Sequence, residues 1–266
     1  MKNLALLLFL TALLFQNCGV KNYKSNSNPV SHDQWDQLLH KHVATDGGVN
    51  YQGFLQDSVA LNSYLALLST AHPNAKNWTR DEQIAYWINA YNAFTVKLIV
   101  DEYPVNSIKD IKNGIPFVNT VWDIKFIKIE KAEYDLNNIE HGILRPKYDE
   151  PRVHFALNCA SYSCPRLRNE AYVAERLEEQ LSDQARLFLA DQRKNVITDP
   201  SRVQLSKIFN WFSGDFTKGK QTLVGFINQY SPVQLTDDTE IEYMDYDWRL
   251  NSQEHYAETA SVTFVE

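Results

Sequence analysis

The chain has 266 residues, of which 44% are hydrophobic and 22% are charged, and these values are typical of a globular domain. Its formal net charge is −7 at pH 7, and the sequence contains no cluster of basic residues. The acidic balance argues against nucleic acid as a partner and against attachment to anionic lipid through basic residues. After the amino-terminal segment, no apolar run is long enough to span a bilayer.

The first 17 residues predict a signal peptide. Lys2 is followed by an apolar run from Leu4 to Phe15, which is too short to cross a membrane. Cys18 follows directly and resembles the lipid-attachment cysteine of bacterial lipoproteins. We therefore expect residues 1–17 to be removed and the protein to be exported and lipid-anchored to the cell envelope, in the periplasm or outer membrane. An ordinary signal peptide with an unmodified cysteine is the alternative.

The remainder predicts a single domain. Residues 18–31 carry almost nothing apolar and predict a flexible tether behind the lipid-attachment cysteine. Residues 32–251 are long enough to bury one large core, and residues 252–266 form a polar tail. Membrane contact is expected through the lipid anchor only.

Three helices are predicted in the first half. His32–Val43 and Val59–Ala71 have apolar residues at helical spacing. Thr79–Tyr103 is the longest, since Thr79 and Glu82 can form a capping box and Pro104 marks the stop. Because its interior is apolar nearly all round, this helix should lie deep in the core.

Two amides lie on that helix. Asn89 and Asn92 are three residues apart and share a face. Buried amides need hydrogen-bond partners, so this pair either braces loops or faces a functional site.

The second half mixes strands with helices. Strands are predicted at Ile124–Ile129, Arg152–Asn158, Val196–Ile197, Val203–Leu205 and Ile241–Tyr246, and helices at Asp135–Arg145, Ala174–Arg193, Lys207–Phe216 and Gln221–Tyr230. We predict an α+β fold in which a helical layer with a buried central helix packs on a small, mostly antiparallel sheet. Within this fold class, a papain- or transglutaminase-like arrangement is one possibility.

Reactive groups concentrate between Arg152 and Leu167. His154, Asn158, Cys159 and Cys164 lie within eleven residues, in a chain that has three cysteines. If the protein has a chemical centre, this segment is the place to expect it.

Four motifs resemble one family. They are AYWINAYNAF at 85–94, IEHGILR at 139–145, HFALNCASYSCP at 154–165 and YDWRLN at 246–251. They resemble the family called domain of unknown function 547, in order and over about residues 33–251, and the leader resembles that of its bacterial exported or lipid-anchored members. In eukaryotes the family can be fused to thioredoxin-like glutaredoxin modules, which implies thiol chemistry without supplying a mechanism.

The first functional hypothesis is a cysteine-dependent hydrolase or acyl transferase with Cys159 as the nucleophile. In one extended strand His154 would point to the opposite face, about 16 Å away at 3.3 Å per residue. His141, on a separate helix, is therefore the predicted base.

Other polar residues have supporting roles in this hypothesis. Glu140 and Asn89 are predicted to complete the catalytic set by orienting His141, and Asn92, Arg145 and His154 are predicted to bind substrate. The alternative is that all of them are buried structural polar residues.

The second hypothesis is redox chemistry. Cys159 and Cys164 are spaced so that a loop can bring them within disulfide distance, and export would favour oxidation. The pair would then be either an exchangeable switch or a permanent structural disulfide.

A third class is a non-enzymatic binding module. Aromatic residues at Trp211–Phe212 and Tyr243–Trp248 could line a ligand groove, although such stripes more often belong to a core. A zinc site of Cys159, Cys164 and a histidine has only weak support, since no second matching pair is present. We expect no metal and no cofactor, and as partner a small molecule, a peptide or an envelope protein.

Overall fold

The computed structural model describes residues 23–112 and 120–262. Cys18 and the predicted signal peptide lie outside the described residues. Over the described parts the protein is α+β, as predicted, with a helical body and two small, mostly antiparallel sheets. Across these same parts, no helix combines the length and apolar character needed to cross a bilayer.

The first half is helical. Its helices are α1 (Asp33–His42), α2 (Tyr51–Gln56), α3 (Ser58–Ser69) and α4 (Arg80–Glu102). The three predicted helices are confirmed, and α2 is an addition. Thr79 forms the predicted capping box of α4, which therefore begins where the sequence indicated.

Helix α4 is the centre of the molecule. Every residue from Gln83 to Val96 is buried, so no face of this stretch is left to solvent. Helices α2 and α3 pack against it, and α1 packs on both of them. An apolar surface that continues round the whole helix has to be covered on all sides, which explains this interior position.

The strands form two sheets instead of one. Strands β1 (Ile127–Ile129) and β2 (Ala132–Tyr134) make an antiparallel hairpin. In the second sheet, β3 (Val196–Asp199) pairs antiparallel with β4 (Arg202–Leu205), and β4 pairs parallel with β5 (Glu240–Tyr243).

The predicted strand at Arg152–Asn158 is wrong. Residues Val153–Ala156 form a short helix, α6, which packs on helix α7 (Leu177–Ala190). A short apolar run has no periodicity that separates a buried strand from a buried helical turn. His154 is therefore not in an extended strand, and the prediction that its side chain points to the face opposite Cys159 does not apply.

The remaining helices are mostly short. The predicted helix after Asp135 is a π-helix, Asn138–Leu144, and Asp135 Oδ1 accepts a hydrogen bond from the Asn138 N–H at 2.6 Å. The others are α5 (Arg145–Tyr148), α8 (Lys207–Trp211), α9 (Ser213–Phe216), α10 (Leu223–Ile227) and α11 (Gln253–Val262).

Both ends of the described chain lie on the domain. In residues 23–31, part of the predicted tether, the Ser27 carbonyl accepts a hydrogen bond from Trp78 Nε1 at 2.9 Å, and the Ser27 hydroxyl donates to the His72 carbonyl at 2.9 Å. In α11, within the predicted tail, the Tyr256 side chain is buried beside the Tyr162 ring.

The buried apolar side chains form two clusters. The larger surrounds α4 and includes Tyr91 and Leu157. The smaller joins Phe155 to residues of α7, β4 and α8–α10. The smaller cluster matters for function because the candidate site draws residues from both.

Candidate functional site

A cavity of about 210 Å³ is lined by residues of both clusters. Its wall contains both cysteines and both histidines singled out in the sequence, together with Glu140. The rest of the wall is largely aromatic: Tyr91, Trp122, Trp211, Phe212, Tyr246 and Trp248. A largely apolar cavity with a few convergent polar groups is the usual form of a small-molecule site.

A strained turn presents Cys159 to this cavity. The residue after it, Ala160, has φ +60°, in the left-handed region that costs a residue with a Cβ about 1–2 kcal/mol. Asn158 holds the turn, because its Oδ1 accepts from the Ala160 N–H at 3.0 Å and its Nδ2 donates to the Pro165 carbonyl at 2.7 Å. Such strain persists where the surroundings over-determine the backbone, and it occurs often at functional sites.

The α4 amides brace the backbone and do not line the cavity. Asn92 Nδ2 donates to the Ala156 carbonyl at 2.9 Å, and its Oδ1 accepts from the Asn158 N–H at 2.9 Å. Asn89 makes the same pair of bonds with the backbone of Tyr172, at 2.8 and 3.0 Å. Asn89, predicted to be catalytic, and Asn92, predicted to bind substrate, thus each use one donor and one acceptor on backbone groups and are not part of the cavity wall.

The two cysteines are free thiols with their sulfurs 3.0 Å apart. Cys164 Sγ also accepts a hydrogen bond from the Cys159 N–H at 2.9 Å. The Cys159 sulfur has two further polar neighbours, the Ser161 hydroxyl at 3.3 Å and the Tyr246 hydroxyl at 3.5 Å. The pair therefore lies in one small hydrogen-bonded group.

The two thiols differ in acidity. The hydrogen bond from Cys164 lowers the pKa of Cys159 from 9.0 to about 7, against the opposing effect of burial, and Ser161 and Tyr246 act in the same direction as Cys164. Burial raises the pKa of the Cys164 thiol well above its usual value. Cys159 is therefore the more acidic of the two thiols, and Cys164 donates to its sulfur when Cys159 is ionised. A lowered pKa and partial exposure are the marks of a reactive cysteine.

His154 is buried and held in one orientation. Its Nε2 lies 2.8 Å from Asp215 Oδ2, its ring stacks on Phe212 with centroids 4.1 Å apart, and its Nδ1 lies 3.9 Å from Glu140 Oε1. Hydrogen bonding to His154, and then to Arg145, holds the pKa of Asp215 well below its usual range. Because that carboxylate can only accept, the neutral form of His154 carries its proton on Nε2 and a lone pair on Nδ1.

His141 is in a different state. Its Nδ1 lies 2.9 Å from Arg145 Nη1, and the same arginine donates from Nε to Asp215 at 2.6 Å. An arginine can only donate, so His141 accepts at Nδ1 and carries its proton on Nε2. Arg145, predicted to bind substrate, instead bonds His141 and Asp215 and is not part of the cavity wall.

One segment of the chain carries most of this site. Residues 75–189 match the family model described as "Protein of unknown function, DUF547". These residues belong to the DUF547 family. The searches of curated proteins and of solved structures found no match to the chain.

The DUF547 segment supplies the thiols, both histidines and Glu140. Asp215 and Tyr246 come from beyond it. From the sequence, Asp215 had no role, and Tyr246 was indicated only as part of the Tyr243–Trp248 stretch that could line a groove. For Asp215 there was no signal, because a lone aspartate on a short helix resembles any surface residue. Tyr246 belongs to one of the resembling motifs, which could have drawn attention to it.

Within residues 23–112 and 120–262, the hydrogen-bond partners of the Cys159 sulfur include no histidine. Over the same residues, no three His, Cys, Asp or Glu side chains are placed to hold a metal. The polar part of the cavity is thus a thiol group beside Tyr246 and a histidine–carboxylate group around His154.

Proposed function

We propose that the protein is a cysteine-dependent hydrolase or acyl transferase with Cys159 as its nucleophile. The observation that supports this most directly is that a thiol with a pKa of about 7 shares one cavity with a histidine fixed by a carboxylate. Nucleophile, base and orienting group are the three parts that covalent acyl transfer needs.

His154 fits the role of base better than His141, which the sequence favoured. The Nδ1 lone pair of His154 is free of any donor among the described residues, whereas the Nδ1 of His141 is engaged by Arg145. His141 presents an N–H at Nε2, so it suits donation to a leaving group or carbonyl oxygen. Contacts between a catalytic base and its nucleophile often tighten only when substrate binds.

The reaction then has two balanced steps. In the first step the Cys159 thiol gives its proton to His154 Nδ1 and its sulfur attacks the carbonyl carbon. The bond to the leaving group breaks, and the leaving group takes that proton from His154. In the second step His154 removes a proton from water or an acceptor, which attacks the thioester and releases the sulfur of Cys159, and His154 returns the proton to it. The Tyr246 hydroxyl lies beside the sulfur, where the oxyanion develops, and can donate to it.

The test uses the full chain with p-nitrophenyl acetate as substrate. Cys159→Ala should abolish ester cleavage, and His154→Gln should lower kcat by about 10²–10⁴-fold, the usual contribution of a general base. His141→Gln is the comparison variant, and its loss should be smaller than that of His154→Gln, because p-nitrophenolate leaves without needing a proton donor. Full activity in Cys159→Ala, or a larger loss in His141→Gln than in His154→Gln, would contradict the assignment.

Thiol–disulfide exchange is the second candidate, and the 3.0 Å separation of the sulfurs favours it. Cys159 would attack a partner disulfide and release one thiol. Cys164 would then displace the second thiol from the mixed disulfide, so that the partner gains two electrons and the protein forms its own disulfide.

Cys164→Ser separates the two candidates. For exchange, this variant should accumulate a mixed disulfide when it is mixed with oxidised glutathione, and the wild type should not. For acyl transfer, it should keep cleaving esters, with an optimum moved to higher pH. Titration of the unreduced protein finds two reactive thiols in the acyl-transfer case and none for a permanent disulfide. If the protein shows neither ester cleavage nor exchange while both thiols are intact, a binding module is favoured.

We also infer export and lipid attachment at Cys18, from the apolar run and the cysteine that follows it. Residues 23–31 lie on the domain, and five residues span at most about 18 Å, so this anchor would hold the domain near the membrane. Labelled fatty acid should appear on the wild type and be absent from Cys18→Ser. Label on both proteins would rule out this attachment site.

A further inference from the structure

Four aromatic rings form a continuous wall on one side of the cavity. Trp122 contacts Trp248 with ring centroids 5.6 Å apart, Trp248 contacts Tyr246 at 4.6 Å, and Tyr246 contacts Trp211 at 4.8 Å. All four residues line the cavity. We call this set the aromatic wall.

The aromatic wall lies at the edge of the core, with Trp122 and Tyr246 packed against the buried clusters. Trp211 is 46% exposed, and the other three rings are only partly buried, whereas Trp35 and Trp87 are sealed inside the domain. Large exposed apolar groups in one contiguous patch mark a binding surface more often than they serve stability. The fold therefore leaves these rings available to a ligand.

Tyr246 connects this wall to the thiol. Its ring belongs to the wall, and its hydroxyl lies 3.5 Å from the Cys159 sulfur. A ligand group that contacts the wall is thus placed directly next to the nucleophile. The cavity wall also carries Glu140 and His141, and these polar groups are available to the leaving group.

The volume of the cavity sets the size of the group. An apolar cavity of about 150 Å³ binds benzene, and this one measures about 210 Å³. One aromatic ring with a short linker fits, and a long acyl chain does not. The Glu140 carboxylate in the wall disfavours a negatively charged group.

We propose that the substrate is an ester, thioester or amide whose acyl side carries one uncharged aromatic ring, and that Trp211 and Tyr246 hold this ring with the carbonyl carbon at Cys159. The inference rests on the proposed role of Cys159 as nucleophile. It adds the substrate class and names Trp211 as a specificity-determining residue.

Two measurements on the full chain test it. The first compares kcat/KM for p-nitrophenyl phenylacetate, acetate and octanoate. The kcat/KM for the phenylacetate ester should exceed that for the acetate ester by about 10-fold or more, which is the usual gain from filling an apolar pocket. Trp211→Ala should remove most of that preference, and Tyr243→Ala, an exposed aromatic residue outside the cavity, should leave it unchanged.

The second measurement does not depend on catalysis. Phenylacetamide should quench tryptophan fluorescence in Cys159→Ser as it does in the wild type, and it should bind more weakly to Trp211→Ala. Binding without any ester cleavage would retain the aromatic site and reject the nucleophile. Cleavage without preference for the ring, or a preference for octanoate, would reject the aromatic site and retain the nucleophile.

Discussion

Two groups of polar residues in apolar surroundings have opposite roles in this protein. The amide braces, Asn89 and Asn92, bond both side-chain atoms to the backbone of segments that pack on α4. Around the cavity, His154 and Cys159 bond mainly to other side chains and line the open space. A buried polar residue therefore indicates chemistry when it bonds other reactive side chains at a cavity, and structure when it bonds the backbone.

The largest expected effect is on the cavity side. Asp215→Asn keeps the shape of the side chain but no longer holds the proton of His154 on Nε2 as a carboxylate does. We expect kcat for ester cleavage to fall by about 10²–10⁴-fold. Near-normal activity in this variant would remove Asp215 from the catalytic set.

A brace should show the reverse pattern. Asn92→Ala leaves the Ala156 carbonyl and the Asn158 N–H buried without partners, at a cost of about 1–3 kcal/mol in the free energy of unfolding. Urea denaturation measures this loss in the free energy of unfolding. Asn62→Ala, at an exposed position of α3, is the matched control and should lie within about 0.5 kcal/mol of wild type. Equal effects of the two substitutions would mean that Asn92 braces nothing.

The thiol provides a test by pH. Since the thiolate is the reactive form, alkylation of Cys159 by iodoacetamide should rise with pH through about 7, and not through 9.0 as for an ordinary cysteine. Because the pKa of Cys159 is lower in the folded protein than the 9.0 of an unfolded chain, its ionisation stabilises the fold. This contribution is fully present above pH 9.0 and is lost as the pH falls through about 7. Cys164→Ala should move the alkylation profile to higher pH. An unmoved profile would show that Cys164 does not stabilise the thiolate.

The smallest effect concerns the strained turn. Ala160→Gly relieves the left-handed conformation, worth about 1–2 kcal/mol, but increases the freedom of the unfolded chain by about 0.4–1 kcal/mol. We expect the free energy of unfolding to rise by between about 0 and 1.6 kcal/mol. A clear loss of stability in urea denaturation would show that the turn is not strained.

Much of the helical body could be predicted from the sequence. Helix α4 had to be interior, because an apolar surface on every side leaves it no exposed face, and Thr79 with Pro104 marked its limits. Cys159 and Cys164 were found as a pair because they are close in sequence. These features depend on neighbours along the chain, which local patterns of apolar residues report.

The tertiary structure decided the rest. Val153–Ala156 is a short helix that packs on α7. In this helix His154 lines the same cavity as Cys159, whereas a strand would have pointed the two side chains to opposite faces. The residue that orients it, Asp215, is 61 positions further along the chain, and Tyr246 is 87 positions beyond Cys159. The sequence determines which side chains are able to react, but their partners come from distant segments, and only folding brings those segments together.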